Sequence, residues 1–186
     1  MKKVLKSGLA AGAAAALLLG GAGTFALWQG SGNIDAGTVS TGHLTLDTTT
    51  TPGTWADVSA DVLPANAAFD PATQHIVPGD TVEFSQTVKI SADGKNLKGA
   101  LTVGTLAAIP AALQPDVTVT VAATASGTGI SAAGNVITFT EPGTYSVPVT
   151  ITVAFAKGTT GSTLAATMNQ PIALDALALT LNQTRP

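Results

Sequence analysis

The chain contains no cysteine, so no disulfide stabilises it and neither thiol catalysis nor a thiolate metal site is open to it. Charge is sparse, at 10% of residues, and aromatic residues make up only 4%. Basic residues are the scarcer sign. Beyond residue 26 only Lys89, Lys95, Lys98, Lys157 and Arg185 remain, against eleven acidic residues, a net charge of −6. That balance excludes the clustered Lys and Arg that nucleic acids and anionic membrane surfaces require. It suits a soluble, self-repelling protein. There are two histidines, His43 and His75, and no H-E-x-x-H motif. Phosphate loops, dinucleotide fingerprints and the G-x-S-x-G elbow are missing as well.

What is present begins at the N-terminus. Met1 to Lys6 holds three lysines, and Ser7 to Gly23 is uncharged and rich in Ala, Leu and Gly. Thr24 and Ala26 then supply small residues three and one positions before a cleavage point at Leu27. This is the pattern of a secretory signal peptide over residues 1–26. The apolar run is short and alanine-rich for a permanent anchor, which needs about 20 strongly apolar residues. No later segment is apolar enough to span a bilayer, so the processed protein is expected to be secreted and free of the membrane. Removing residues 1–26 leaves 160 residues, enough for one domain with a real core.

The rest alternates with a period of two, which is the signature of half-buried strands. Tyr145, Val147, Val149, Ile151, Val153 and Phe155 alternate with Ser146, Pro148, Thr150, Thr152 and Ala154. Pro148 cannot donate a ladder hydrogen bond, so this strand is expected at an edge or with a bulge. Val82, Phe84, Val88 and Ile90 mark a second long strand. Asp93-Gly94 after it predicts a tight hairpin, with Leu97 to Leu106 returning as its partner. Further strands are expected at His43 to Leu46, Val117 to Val121, Val136 to Thr140 and Leu177 to Leu181. Pro52-Gly53, Pro78-Gly79 and Pro142-Gly143 each fit a type II turn with the glycine at positive φ. Only Leu106 to Leu113, broken by Pro110, and residues 162–169 offer short helical turns. The expected fold class is all-β, an antiparallel two-sheet sandwich over residues 35–186. Pattern alone does not separate a jelly roll from an immunoglobulin-like sandwich.

Chemistry-bearing clusters are few. His43 and His75 stand 32 residues apart and lack an evident third ligand, which favours two solvated histidines over a zinc site. Asp57, Asp61, Asp70 and Glu83 can be imagined as a carboxylate pair or a calcium site. Their spacing fits no EF-hand loop, and scattered acids on a sandwich are mostly solvating charges. The expectation is therefore no catalytic residue, no cofactor and no metal.

The first 46 residues carry a resemblance to a family. Gly20-Gly21-Ala22-Gly23-Thr24-Phe25-Ala26-Leu27-Trp28 resembles the export signal of the TasA and camelysin family of Gram-positive bacteria. Ala36-Gly37-Thr38-Val39, Thr41-Gly42-His43-Leu44-Thr45-Leu46 and the turn Val77-Pro78-Gly79-Asp80-Thr81 are similar to further family segments. The chain departs from well-known members in lacking long lysine- and aspartate-rich insertions. The resemblance implies processing by a SipW-type signal peptidase, a jelly-roll-like domain and a role as subunit of a biofilm-matrix or cell-surface fibre. It implies copies of the same chain as partners, with an accessory fibre protein as a further one. It also raises a metallopeptidase activity for camelysin, which the two isolated histidines do not support.

In such fibres the processed N-terminal segment adds as a strand to the next subunit. Residues 27–34 suit this physically. Leu27, Trp28 and Ile34 are apolar anchors, and Gly30, Ser31 and Gly32 form a pliant tether. Burying Trp28 is worth roughly 2–3 kcal/mol. A contact between unlike surfaces that does not close into a ring grows a filament. The competing expectations are an arm folded back on its own domain as an edge strand, and an arm left disordered. From another class comes a monomeric secreted module that binds a carbohydrate or a protein, for which Trp55 is the one aromatic platform.

Overall fold

The computed structural model describes residues 31–106, 108–158, 165–174 and 177–185. The chain divides into two units, Met1–Val39 and Ser40–Pro186. In the first, residues 31–39 form no strand, and the Asp35 carboxylate accepts the Gly37 N–H at 2.9 Å.

Among its described residues the second unit has ten strands in two antiparallel sheets. The first sheet holds β1 (His43–Asp47), β2 (Thr54–Asp57), β3 (Ala67–Ala68), β4 (Thr81–Asp93), β6 (Val117–Ala123) and β9 (Gly143–Phe155), in the order β3-β2-β4-β9-β6. The second holds β5 (Lys98–Val103), β7 (Ile130–Ala133), β8 (Val136–Phe139) and β10 (Leu179–Thr184), in the order β10-β5-β8-β7. A 3-10 turn, Ala165–Thr167, lies in the second weak helical segment.

The two longest strands form the axis. β4 and β9 pair from Thr81↔Ala154 to Ala92↔Gly143. Their alternation decides the faces: Val82, Val88, Ile90 and Ala92 on β4 and Val147, Val149, Ile151, Val153 and Phe155 on β9 are buried. The opposite face is mostly Thr and Ser. These β-branched and hydroxyl side chains fit a pleated, solvated surface and pair across strands, as at Thr120↔Thr152 and Ser85↔Thr150.

The inner face of the first sheet is covered in two different ways. At one end the second sheet packs on it. Val88, Ile90, Val147 and Val149 meet Leu101, Val103, Ile137 and Phe139 in one core. Gly99 is required there, because it lies opposite Phe139 and a Cβ would strike the ring. At the other end loops form the cover. Val82, Val117, Val153 and Phe155 pack with Leu113, Phe69, Ile76, Ile109, Ile172 and Leu174. Leu113 is placed by a turn that starts at Pro110, whose carbonyl accepts the Leu113 N–H at 2.8 Å.

Four expectations are corrected. β4 and β5 are not hairpin partners: they belong to different sheets, and Asp93-Gly94 turns the chain over the edge of the sandwich. The true partner of β4 along that stretch is β1, with His43↔Asp93 through Asp47↔Lys89. Gly79 takes a positive φ of 108°, but Gly53 and Gly143 are not among the positive-φ glycines. Gly53 instead makes room for the Phe84 ring, and Gly143 opens β9.

Pro148 is neither at an edge nor in a bulge. It sits in central β9 opposite Thr87. Its carbonyl accepts the Thr124 N–H at 3.0 Å, so its ring nitrogen faces the same side, where β6 has just ended at Ala123. The missing N–H therefore costs no ladder bond.

Candidate functional site

An assembly site of the expected kind needs an apolar extended segment, a sheet edge with unused main-chain groups, and a cavity beside it. Of the donor residues, Leu27 and Trp28 lie outside the described residues, as do Thr24 and Ala26 of the processing site. Ile34 is described. It is 94% exposed, and Val39 is 93% exposed. They are the two most exposed of the large apolar side chains among the described residues, ahead of Leu63, Val77 and Val136.

The edges differ. On one flank β1 and β2 lie end to end along β4, leaving Gln86, Thr87 and Val88 between them. The Gln86 side chain closes that gap: its Nε2 donates to the carbonyls of Thr48 at 2.7 Å and Thr51 at 3.0 Å. β10 adjoins β1 on the same flank, and Leu44, Leu46, Leu179 and Leu181 pack on the shared core. A cavity of about 490 Å³ lies beneath, bounded by Leu46, Phe84, Gln86, Ile151, Leu174 and Leu179.

On the other flank, among the described residues, β6 pairs with β9 alone. Its sequence, Val-Thr-Val-Thr-Val-Ala-Ala, has no charge, proline or glycine. Val119 and Val121 point to the inner face yet stay only half-buried, although their partners Val153 and Ile151 are 2% and 4% exposed. A second cavity, about 310 Å³, lies beside them, lined also by Thr105, Leu106, Ile109 and Asn135.

A Ser–His–Asp neighbourhood on the solvated face has no local signature in the chain. His43 Nε2 lies 3.1 Å from Ser91 Oγ, and His43 Nδ1 lies 3.8 Å from Asp93 Oδ2. The second distance is an ion-pair contact, too long for the hydrogen bond that orients a catalytic imidazole. The His43 and Asp93 side chains are 55% and 71% exposed, and neither cavity includes them. The arrangement follows from register, His43 standing opposite Asp93 and diagonal to Ser91, and it pins the start of β1 to the end of β4.

The carboxylates considered for metal or acid–base chemistry serve local turns. Asp57 accepts the Ser59 N–H at 2.9 Å. Asp70 accepts the Ala72 N–H and the Thr73 hydroxyl, both at 2.9 Å, and these bonds hold its carboxyl below the ordinary carboxylate range. Asp47 is held lower still, by the Thr50 hydroxyl first and the Thr49 and Thr50 N–H groups next. Glu83 accepts from the Ser85 hydroxyl at 3.0 Å. Among the described residues no three His, Asp or Glu side chains form a metal-ligand set.

Trp55 packs edge-on to Phe69, with ring centroids 6.0 Å apart, and against Phe84 at 5.4 Å. It belongs to the loop-covered core rather than to an open aromatic platform. Tyr145 stacks obliquely on Phe139 at 5.4 Å and donates its hydroxyl to the Glu141 carbonyl at 2.6 Å.

No family model, curated protein or solved structure matches the chain.

Proposed function

We propose that this chain is an exported, non-enzymatic structural protein, a jelly-roll-like subunit of an extracellular matrix or cell-surface fibre. Residues 1–26 direct export, and a signal peptidase of the SipW type, reading Thr24 and Ala26, cuts before Leu27. The released segment, residues 27–34, adds as a strand to the next copy, with Leu27, Trp28 and Ile34 as anchors. Cleavage acts as the trigger, since the segment is held in the membrane until then. The partners are further copies of the chain and an accessory fibre protein.

The observation that supports this reading most is Ile34, 94% exposed in a stretch without strand that leads from Leu27 and Trp28 to β1. Leaving such a side chain in water forgoes about 1.5–3 kcal/mol that burial in a partner would recover. The chain passing from one sheet to the other after β4 also suits a jelly roll.

The test is negative-stain electron microscopy of the protein beginning at Leu27 beside one beginning at Asp35. Filaments from the first and none from the second are expected. Monodisperse particles from both would replace the fibre with a monomeric secreted module that binds a carbohydrate or protein.

A further inference from the structure

We infer that the free edge of β6 is where the next copy's residues 27–34 dock, with Trp28 entering the cavity beside Val119 and Val121. This rests on the fibre reading above and names its acceptor.

The inference starts from an unprotected edge. Natural sheets blunt their edges with charge, proline, brevity or a cover. β1 spans five residues, begins at His43, ends at Asp47 and has β10 beside it. β3 has two residues and β7 four. β6 has seven, all uncharged and of high strand propensity. Among the described residues, Thr118 to Ala123 pair only with β9. An edge of this make-up is a template for another strand.

The second observation is incomplete burial. β9 buries its inner face almost fully, while its neighbour leaves Val119 and Val121 half in water beside a cavity of about 310 Å³. The other flank is no substitute. The cavity there is larger, but β1, β2 and the Gln86 side chain already occupy the edge of β4 above it.

The third is the fit of the occupant. Residues 27–34 are eight in number, without charge, and match the seven uncharged residues of β6 in reach. In an extended segment Trp28, Gly30, Gly32 and Ile34 share one face. Trp28 is the side chain large enough to occupy the cavity. Thr105 and Asn135 on its wall carry acceptors for the indole N–H. The glycines let the two backbones approach without side-chain interference. Lys89, Lys98 and Lys157 lie outside this edge, so the recognition is apolar and main-chain in kind.

The test uses the protein beginning at Leu27, followed by hydrogen exchange before and after assembly, together with the variant Val121→Lys. A lysine pointing inward at an edge is the natural gatekeeper against strand addition. Expected are filaments in which outward amides of Thr118 to Ala123 exchange about tenfold or more slowly than in the monomer. Val121→Lys is expected to keep its far-ultraviolet circular dichroism and lose the filaments. Filaments whose new protection lies elsewhere overturn the β6 assignment and leave the fibre standing, as do normal filaments from Val121→Lys. No filaments from the unaltered protein overturns the fibre reading itself, and this inference with it. Should Val121→Lys fail to fold, the exchange of the unaltered protein decides alone.

Discussion

The two ends of the inner face of the first sheet carry the same alternating pattern but are closed by different means. Around Val88, Ile90 and Val147 a second sheet supplies Leu101, Ile137 and Phe139, and those three are 0%, 0% and 1% exposed. Around Val82, Val153 and Phe155 the cover is Leu113, Ile109, Ile76 and Leu174, delivered by loops. A strand presents its side chains at fixed spacing, so a sheet-on-sheet core is filled by rule. A loop can shift when a side chain shrinks, so its core is filled by accommodation. The sheet-covered end is therefore the rigid half of the molecule, and the loop-covered end is the adaptable one.

The sharpest way to test that contrast is a matched pair of truncations. Leu101→Ala is expected to cost about 4–5 kcal/mol, and Leu113→Ala about 2–3 kcal/mol, because the turn after Pro110 can settle into the space. Urea unfolding midpoints measure both; equal losses would erase the distinction. Overfilling should show the same asymmetry. Gly99→Ala forces a methyl against the Phe139 ring and is expected to cost about 1–3 kcal/mol, with partial recovery in the double variant with Phe139→Leu. Gln86→Ala should cost less, about 1 kcal/mol, since water can take over the Thr48 carbonyl. Its effect should be confined to faster exchange in residues 48–53.

The smallest effects are those of pH. Burial first, and the Glu141 charge second, push the Tyr145 hydroxyl above its ordinary value of 10.0. The folded state then holds that proton more tightly than the unfolded one. The associated stability is complete below pH 10.0 and is lost as pH rises through the folded value. Asp70, in the loop before the second core, is shifted the opposite way. Its contribution is present above pH 3.8 and is lost as pH falls through its lowered folded value. Alkali is thus expected to weaken the sheet-covered half, whereas acid is expected to weaken both ends, through Asp47 at the end of β1 and Asp70 before the second core. Tyr145→Phe should flatten the alkaline limb of a plot of melting temperature against pH, and Asp70→Asn part of the acid limb.

The same division governed what could be read from the sequence. Alternation located β1, β4, β6, β8, β9 and β10, because each buries one face and a period of two has no other economical meaning. β2, β3 and β7 were missed. They are two to four residues long, too short to establish a period, and are held in place by neighbours rather than by pattern. Asp93-Gly94 read as a hairpin because local turn chemistry cannot say whether the chain returns in the same sheet or crosses to the other. The neighbourhood of His43, Ser91 and Asp93 depends on register over 48 residues and more, which no local signal encodes. The acids were legible in the opposite sense. Asp47, Asp57 and Asp70 each precede a residue whose N–H they accept two positions on, the habit of Asx turns.

Pro148 acts as a ruler. The rung of β9 that it occupies offers β6 an acceptor but no donor, and the last full pair between the two strands, Ala123↔Val149, comes immediately before it. The ladder cannot lengthen past that point without a gap, so β6 stops at seven residues. A single ring in the middle of the sheet thereby fixes a length at its margin, one strand away. Replacing it by alanine would restore the donor and let the margin creep outward by a rung.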